Sequence, residues 1–172
     1  MIVGAIVAGI AGVALVVVVA LAIGGEPAFT LPARIGDEAR VEEGPFDVFI
    51  DAMIEDLAEA NVEIDGTSYG TRLDPRYILI VSELEGFPAG DVLVQMKTTY
   101  DSPGDEILLD RLVERDTGGI HYECAPTSDV TIPTTVCAWV SDRTVGMLIS
   151  LVSDDADAGI GLLQRARADA EA

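Results

Sequence analysis

The chain has 172 residues, 49% of them hydrophobic and 23% charged, with two cysteines, one histidine and a formal net charge of -20. That length suits one folded domain with an appendage. Thirty acidic against ten basic side chains exclude a nucleic-acid binder, whose affinity for phosphate comes from lysine and arginine, and an anionic lipid surface repels such a chain equally.

From Ile2 to Ile23 runs a stretch of 22 mostly apolar residues, and no charge falls between Ile2 and Gly25. As a helix it would rise roughly 33 Å, about one hydrocarbon core. Residues 1–24 are therefore expected to be a transmembrane anchor, in contact with the membrane through residues 2–23. A cleaved secretory signal is the competing reading, with Ala20-Leu21-Ala22 as a small-x-small site. The run is too long for a signal core, and no lysine or arginine precedes it. Gly4, Ala8 and Gly12 form a small-residue strip along the span, the pattern through which a second copy packs as a homodimer, although composition alone also produces it.

Orientation rests on weaker signals. Arg34 and Arg40 follow the span, and a literal positive-inside count would leave the domain in the cytoplasm. Glu26, Asp37 and Glu38 are interleaved with them, the amino terminus is itself positive, and two cysteines favour an oxidising compartment. The expected location is the cell membrane, single-pass, with the C-terminal domain extracytoplasmic. The whole acidic excess lies after the span, where it serves first as a solvated, aggregation-resistant surface.

Residues 25–44, with Pro27, Pro32, Gly36 and Gly44, read as a juxtamembrane linker ending in an extended segment around Phe29 to Ile35. Residues 45–172 read as the folded domain. Pro45 opens a helix to about Ala60, on which Phe46, Phe49, Ile50, Met53, Ile54 and Leu57 make an apolar stripe. Asp65-Gly66 signals a turn, Thr67 to Leu73 a strand, Asp74-Pro75 a second turn and Tyr77 to Leu84 another strand, together a hairpin. Ala89 to Tyr100 fits a helix slightly better than a strand. Leu108 to Glu114, Gly119 to Cys124, Val136 to Val140 and Val145 to Val152 are four more strands, and a last helix is capped by Ser153. The expected fold class is α+β, an antiparallel or mixed sheet with helices on one face, preceded by the transmembrane helix.

Cys124 and Cys137, 13 apart on neighbouring predicted strands, suit a structural disulfide, with Trp139 on the same side of its strand as Cys137. A closed zinc site lacks soft ligands, since His121 is the one imidazole. No metal or cofactor is indicated.

Gly66-Thr67-Ser68-Tyr69-Gly70 matches the G-x-S-x-G pattern of a hydrolase nucleophile elbow, with His121 later in the chain. Its surroundings do not suit the motif, because an elbow needs a helix after the serine and Thr71 to Pro75 cannot open one. Asp47, Asp51, Glu55 and Glu59 recur every four residues and form an acidic ridge. Each like-charged pair costs a few tenths of a kcal/mol, which a divalent cation or a basic partner would relieve and which solvent and salt would screen. Ser153 to Gly159 has the flavour of a calcium loop but lacks the closing bidentate glutamate, so helix capping explains it better.

The apolar anchor, Phe29 to Gly36, the Tyr69-Gly70 strand and above all the stretch Cys137-Ala138-Trp139-Val140-Ser141-Asp142-Arg143-Thr144-Val145-Gly146 resemble a loose group of membrane-anchored or secreted actinobacterial proteins. The resemblance covers most of the chain, and Cys-Ala-Trp-x-x-Asp-x-Thr-x-Gly is its most specific part. It implies an extracytoplasmic α+β domain with a disulfide, and no activity. The expected function is a non-catalytic binding or accessory module at the cell envelope, with an envelope protein as partner. The alternatives are a serine-type hydrolase using Ser68 and a divalent-cation-binding acidic domain.

Overall fold

In the computed structural model the described residues are 29–42, 44, 47, 48, 50, 51, 64–83, 92–94, 97, 106–128 and 131–171. The expected span at residues 2–23, with Gly4, Ala8 and Gly12, lies outside them. No helix among the described residues is long and apolar enough to cross a membrane.

Alternating and β-branched runs dictate the centre of the molecule, a six-stranded sheet in the order β3-β4-β8-β7-β6-β5. Its strands are β3 (Ile64–Thr71), β4 (Asp74–Glu83), β5 (Val113–Thr117), β6 (Ile120–Pro126), β7 (Thr135–Val140) and β8 (Thr144–Ser150). Every neighbouring pair is antiparallel, which settles the choice between antiparallel and mixed. Strands β7 and β8 are buried along their whole length. Both faces of the sheet are therefore covered, and these strands read as continuous apolar runs rather than as alternation.

On one face Tyr69, Leu79, Tyr122, Cys124, Cys137, Trp139 and Leu148 meet Ile160 and Leu163 of the helix α1 (Ala156–Ala170). On the other, Ile78, Ile80, Ala125, Val136, Ala138 and Met147 meet Ile50, Val92 and Leu93, which are helical residues. The expectation of helices on one face is thereby corrected: the described helical residues lie on both. The reason is in the strands, since central strands such as β7 and β8, buried at every position, need cover on each side.

Two further expectations change. Asp65-Gly66 is not a turn but lies within β3, paired with Val81 and Ile80. Gly66 is there for clearance, because a Cβ would stand 3.0 Å from Ile50 Cγ2 and 3.2 Å from the Leu79 carbonyl oxygen. The hairpin turn is instead Arg72-Leu73, between the paired residues Thr71 and Asp74. Leu108 to Glu114 is not a strand; Leu109–Arg111 is a turn of 3-10 helix, and β5 starts at Val113.

The stretch expected as linker is built into the domain from Phe29 onward. Phe29, Leu31 and Ile35 are buried against the α1 face, and β1 (Arg34–Ile35) and β2 (Glu38–Ala39) form a small ribbon. Beyond it Arg40 bridges Tyr69, and the Val41 N–H donates to the Ser68 carbonyl at 2.8 Å, which covers part of the exposed edge of β3. Tyr69 ties this segment down, since its hydroxyl, in a fully buried side chain, donates to the Pro32 carbonyl at 3.0 Å.

Burial pushes the Tyr69 phenol well above its ordinary range; nearby Arg40 opposes this and Asp65 adds to it. A raised folded value means the neutral form is the one the fold accommodates. This contribution to stability is intact below the ordinary tyrosine value of about 10 and is lost as pH rises above it. Denaturant midpoints measured from pH 8 to 11.5 are expected to fall more steeply in the wild type than in Tyr69→Phe, which gives up the hydrogen bond, about 1 kcal/mol, at every pH. Parallel curves would contradict this assignment.

The Cys-Ala-Trp stretch has a structural explanation. Cys124 and Cys137 are directly paired across β6 and β7 and are joined by a disulfide. Trp139 is fully buried and lies opposite Gly146, where a Cβ would stand 1.9 Å from the indole Cη2. The indole N–H donates to Thr144 Oγ1 at 3.1 Å. Thr144 Oγ1 in turn donates to Glu171, which is paired with Arg167. Ser141 Oγ accepts the Thr144 N–H at 2.9 Å and closes the β7–β8 turn. Every one of these residues shapes the strand pair and its cover.

Candidate functional site

Gly118 and Gly119 both have positive φ, +63° and +83°, the backbone of a two-residue type I′ turn. They join β5 to β6 and fix the register: Thr117 opposite Ile120, Asp116 opposite His121 and Glu114 opposite Glu123. Opposed residues share a face, and so do residues two apart. Glu114, Asp116, His121 and Glu123 therefore stand on one face of the hairpin. Tyr122 and Cys124 pack under α1, so the four lie on the opposite face.

Burial deepens from the edge strand inward. The side chains of Asp116 and Glu114 are 82% and 53% exposed, that of His121 is 12% exposed, and Glu123 is fully buried. His121 Nδ1 donates to Asp116 Oδ1 at 2.9 Å, which in the neutral ring leaves the lone pair on Nε2. Nε2 lies 3.7 Å from Glu114 Oε1 and has no hydrogen-bond partner among the described residues. Glu123 Oε1 accepts the Leu93 N–H at 2.9 Å, while its Oε2 is buried and unpartnered among the described residues. One donor atom from each of Glu114, His121 and Glu123 lies within 4.8 Å of the other two.

Burial raises the Glu123 carboxyl above the ordinary carboxylate range. The Leu93 N–H and His121 pull it back, Glu114 pushes it further and the Val92 N–H adds a smaller downward pull. A buried polar oxygen left unpaired costs about 1 to 3 kcal/mol, and among the described residues nothing pairs with Glu123 Oε2.

The residues singled out from sequence are placed elsewhere. Ser68 lies mid-strand in β3, fully buried, with Ile78 opposite. No strand-to-helix turn surrounds it, so the G-x-S-x-G match does not make an elbow. Four strand spacings separate β3 from β6, roughly 19 Å, far beyond reach for His121 as a base. On the acidic ridge, Asp47 and Asp51 are helical, and Asp47 accepts the Gly44 N–H, an end-of-helix role. Glu55 and Glu59 lie outside the described residues. Asp155, not Ser153, caps α1: its carboxylate accepts the Ala158 N–H at 3.0 Å, and Ser153 Oγ accepts the Asp155 N–H at 3.1 Å. Gly159 in the same stretch lets α1 approach the disulfide, for a Cβ there would stand 2.8 Å from Cys137 Sγ.

The β5–β6 cluster is not evident from local patterns, because its ligands are neither a cysteine set nor a run of acids on one helix or loop but come from two strands. The signal was present: folding the chain about Gly118-Gly119 superposes Glu114 on Glu123 and Asp116 on His121. Comparison with family models, with curated proteins and with solved structures finds no match to this chain.

Proposed function

We propose that the chain is a single-pass envelope protein whose domain lies outside the cytoplasm and acts by binding rather than by catalysis. The observation that carries this reading is the Cys124–Cys137 bridge, which is fully inside the domain between paired strands. Such bridges persist in oxidising compartments and are rare in the cytosol. Behind it stands the uncharged stretch from Ile2 to Gly25, long enough to cross a bilayer as a helix. The resemblance to membrane-anchored or secreted actinobacterial proteins supports the same orientation. Burial of Ser68 away from His121 supports binding over serine hydrolysis. An envelope protein is the proposed partner.

The test is topological. In cells carrying the full chain, with any outer wall removed, added protease is expected to degrade the domain. Alkylation of denatured protein is expected to label neither cysteine until a reductant is added. A domain that survives protease on intact cells, or two cysteines that label without reductant, would overturn the placement.

A further inference from the structure

We propose that Glu114, His121 and Glu123 form a binding site for one divalent transition-metal ion of the zinc class, with Asp116 as the positioning residue for the imidazole. The proposal stands apart from the membrane placement, because it rests on the β5–β6 hairpin and the Leu93 contact to it.

Three features of the cluster agree with a bound ion. The first is spacing. Donors bound to one ion at about 2.1 Å lie roughly 3.4 Å apart in a tetrahedral arrangement and up to about 4.2 Å apart when opposed. The 3.7 Å between His121 Nε2 and Glu114 Oε1 is too long for a hydrogen bond and falls inside that range. The second is the state of the donors. Glu123 Oε2 and His121 Nε2 are both buried without a partner among the described residues, and one possible ligand atom from each of Glu114, His121 and Glu123 lies within 4.8 Å of the other two. A cation between them satisfies both at once. The third is support: the Asp116 carboxylate holds Nδ1 at 2.9 Å and so aims Nε2 at the carboxylates, while the Leu93 N–H fixes the Glu123 head through Oε1 at 2.9 Å. A carboxylate behind a ligating histidine sets its tautomer and raises its basicity.

Donor chemistry selects the ion. Both cysteines are joined to each other, so no thiolate competes, and His121 is the one imidazole of the chain. One nitrogen with two carboxylates suits zinc or a neighbouring first-row ion better than calcium or magnesium, which take oxygen ligands. Glu114 is more than half exposed at the sheet edge, which leaves an entry path and room for water in the remaining position.

The experiment uses the full oxidised chain in detergent, stripped with chelator and titrated calorimetrically with zinc chloride and, separately, calcium chloride. One zinc ion per chain is expected, with calcium at least tenfold weaker. Asp116→Asn, at an exposed position, is expected to weaken zinc 10- to 100-fold. His121→Ala is expected to abolish the site, whereas Asp47→Asn with Asp51→Asn leaves affinity unchanged. Glu123→Gln is expected to raise the melting temperature of the metal-free protein and to remove the zinc-dependent rise seen in the wild type; a purely structural carboxylate would lower it. No heat with millimolar zinc, equal affinity for calcium, or wild-type affinity in Asp116→Asn and His121→Ala would overturn the proposal and leave His121 as an ion-pair partner among three carboxylates.

Discussion

Replacing Gly146 by alanine is expected to lower the melting temperature by roughly 10 °C, equivalent to about 3 kcal/mol. The added Cβ would lie 1.9, 2.1 and 2.3 Å from three atoms of the Trp139 ring. None of these is the free end of a flexible side chain. The indole is held by its bond to Thr144 and is fully buried in the cluster that also contains Phe29, Ile160 and Leu163. Relief therefore requires the ring to turn and its hydrogen bond to break, or the strand pair to separate where Trp139 faces Gly146. Far-UV circular dichroism followed through a denaturant titration measures the loss, and it serves equally for variants that lack Trp139, the one tryptophan of the chain. A companion Trp139→Phe protein separates this mechanism from a general intolerance of β8. With the larger ring gone, Gly146→Ala should cost at least 1 kcal/mol less than in the wild type, a coupling expected only of residues in contact. Equal costs in the two backgrounds would show that Gly146 is not there to admit the indole.

The same pair of residues shows how far the sequence could be read. Cys137 and Trp139 alternate on one side of a strand, and that periodicity was enough to place the disulfide and the indole together. The β3–β4 hairpin, β6, β7, β8 and the last helix were also legible, since each has apolar periodicity bounded by turn residues. Glycine misled where its role was clearance. Gly66 follows an aspartate and so resembles a turn, but it occupies a strand because Ile50 packs over it. Nothing local to Asp65-Gly66 distinguishes the two uses, which depend on a residue more than a dozen positions away. At β5 the difficulty was a boundary. A strand predicted to end at Glu114 leaves Asp116 outside it, which hides that Glu114, Asp116, His121 and Glu123 share one face. The buried state of Glu123 was not legible at all, because an acidic residue next to a cysteine gives no sign that Val92 and Leu93 will cover it.

Removing the disulfide by Cys124→Ala with Cys137→Ala is expected to cost about 3 kcal/mol, the loop-entropy value for a bridge that closes a separation of 13 residues. Alanine is the informative replacement, since both sites are buried and serine would add an unsatisfied hydroxyl to the loss. The consequence for α1 is sharper than the loss itself. Gly159 faces Cys137 Sγ at 2.8 Å, Thr135 Cγ2 at 3.2 Å and Cys124 Sγ at 3.3 Å, measured from an ideal Cβ. In the oxidised wild type, Gly159→Ala therefore drives a methyl into sulfur and should destabilise by about 1 to 3 kcal/mol. Once both sulfurs are gone, two of the three obstructing atoms are absent. Alanine's advantage over glycine inside a helix, about 1 kcal/mol, then acts alone. The substitution should change sign: destabilising in the bridged protein, neutral or stabilising in the double-alanine background. Denaturant midpoints of the four proteins measure this coupling. A penalty of the same size in both backgrounds would mean that the sheet backbone, not the bridge, sets how closely α1 can approach.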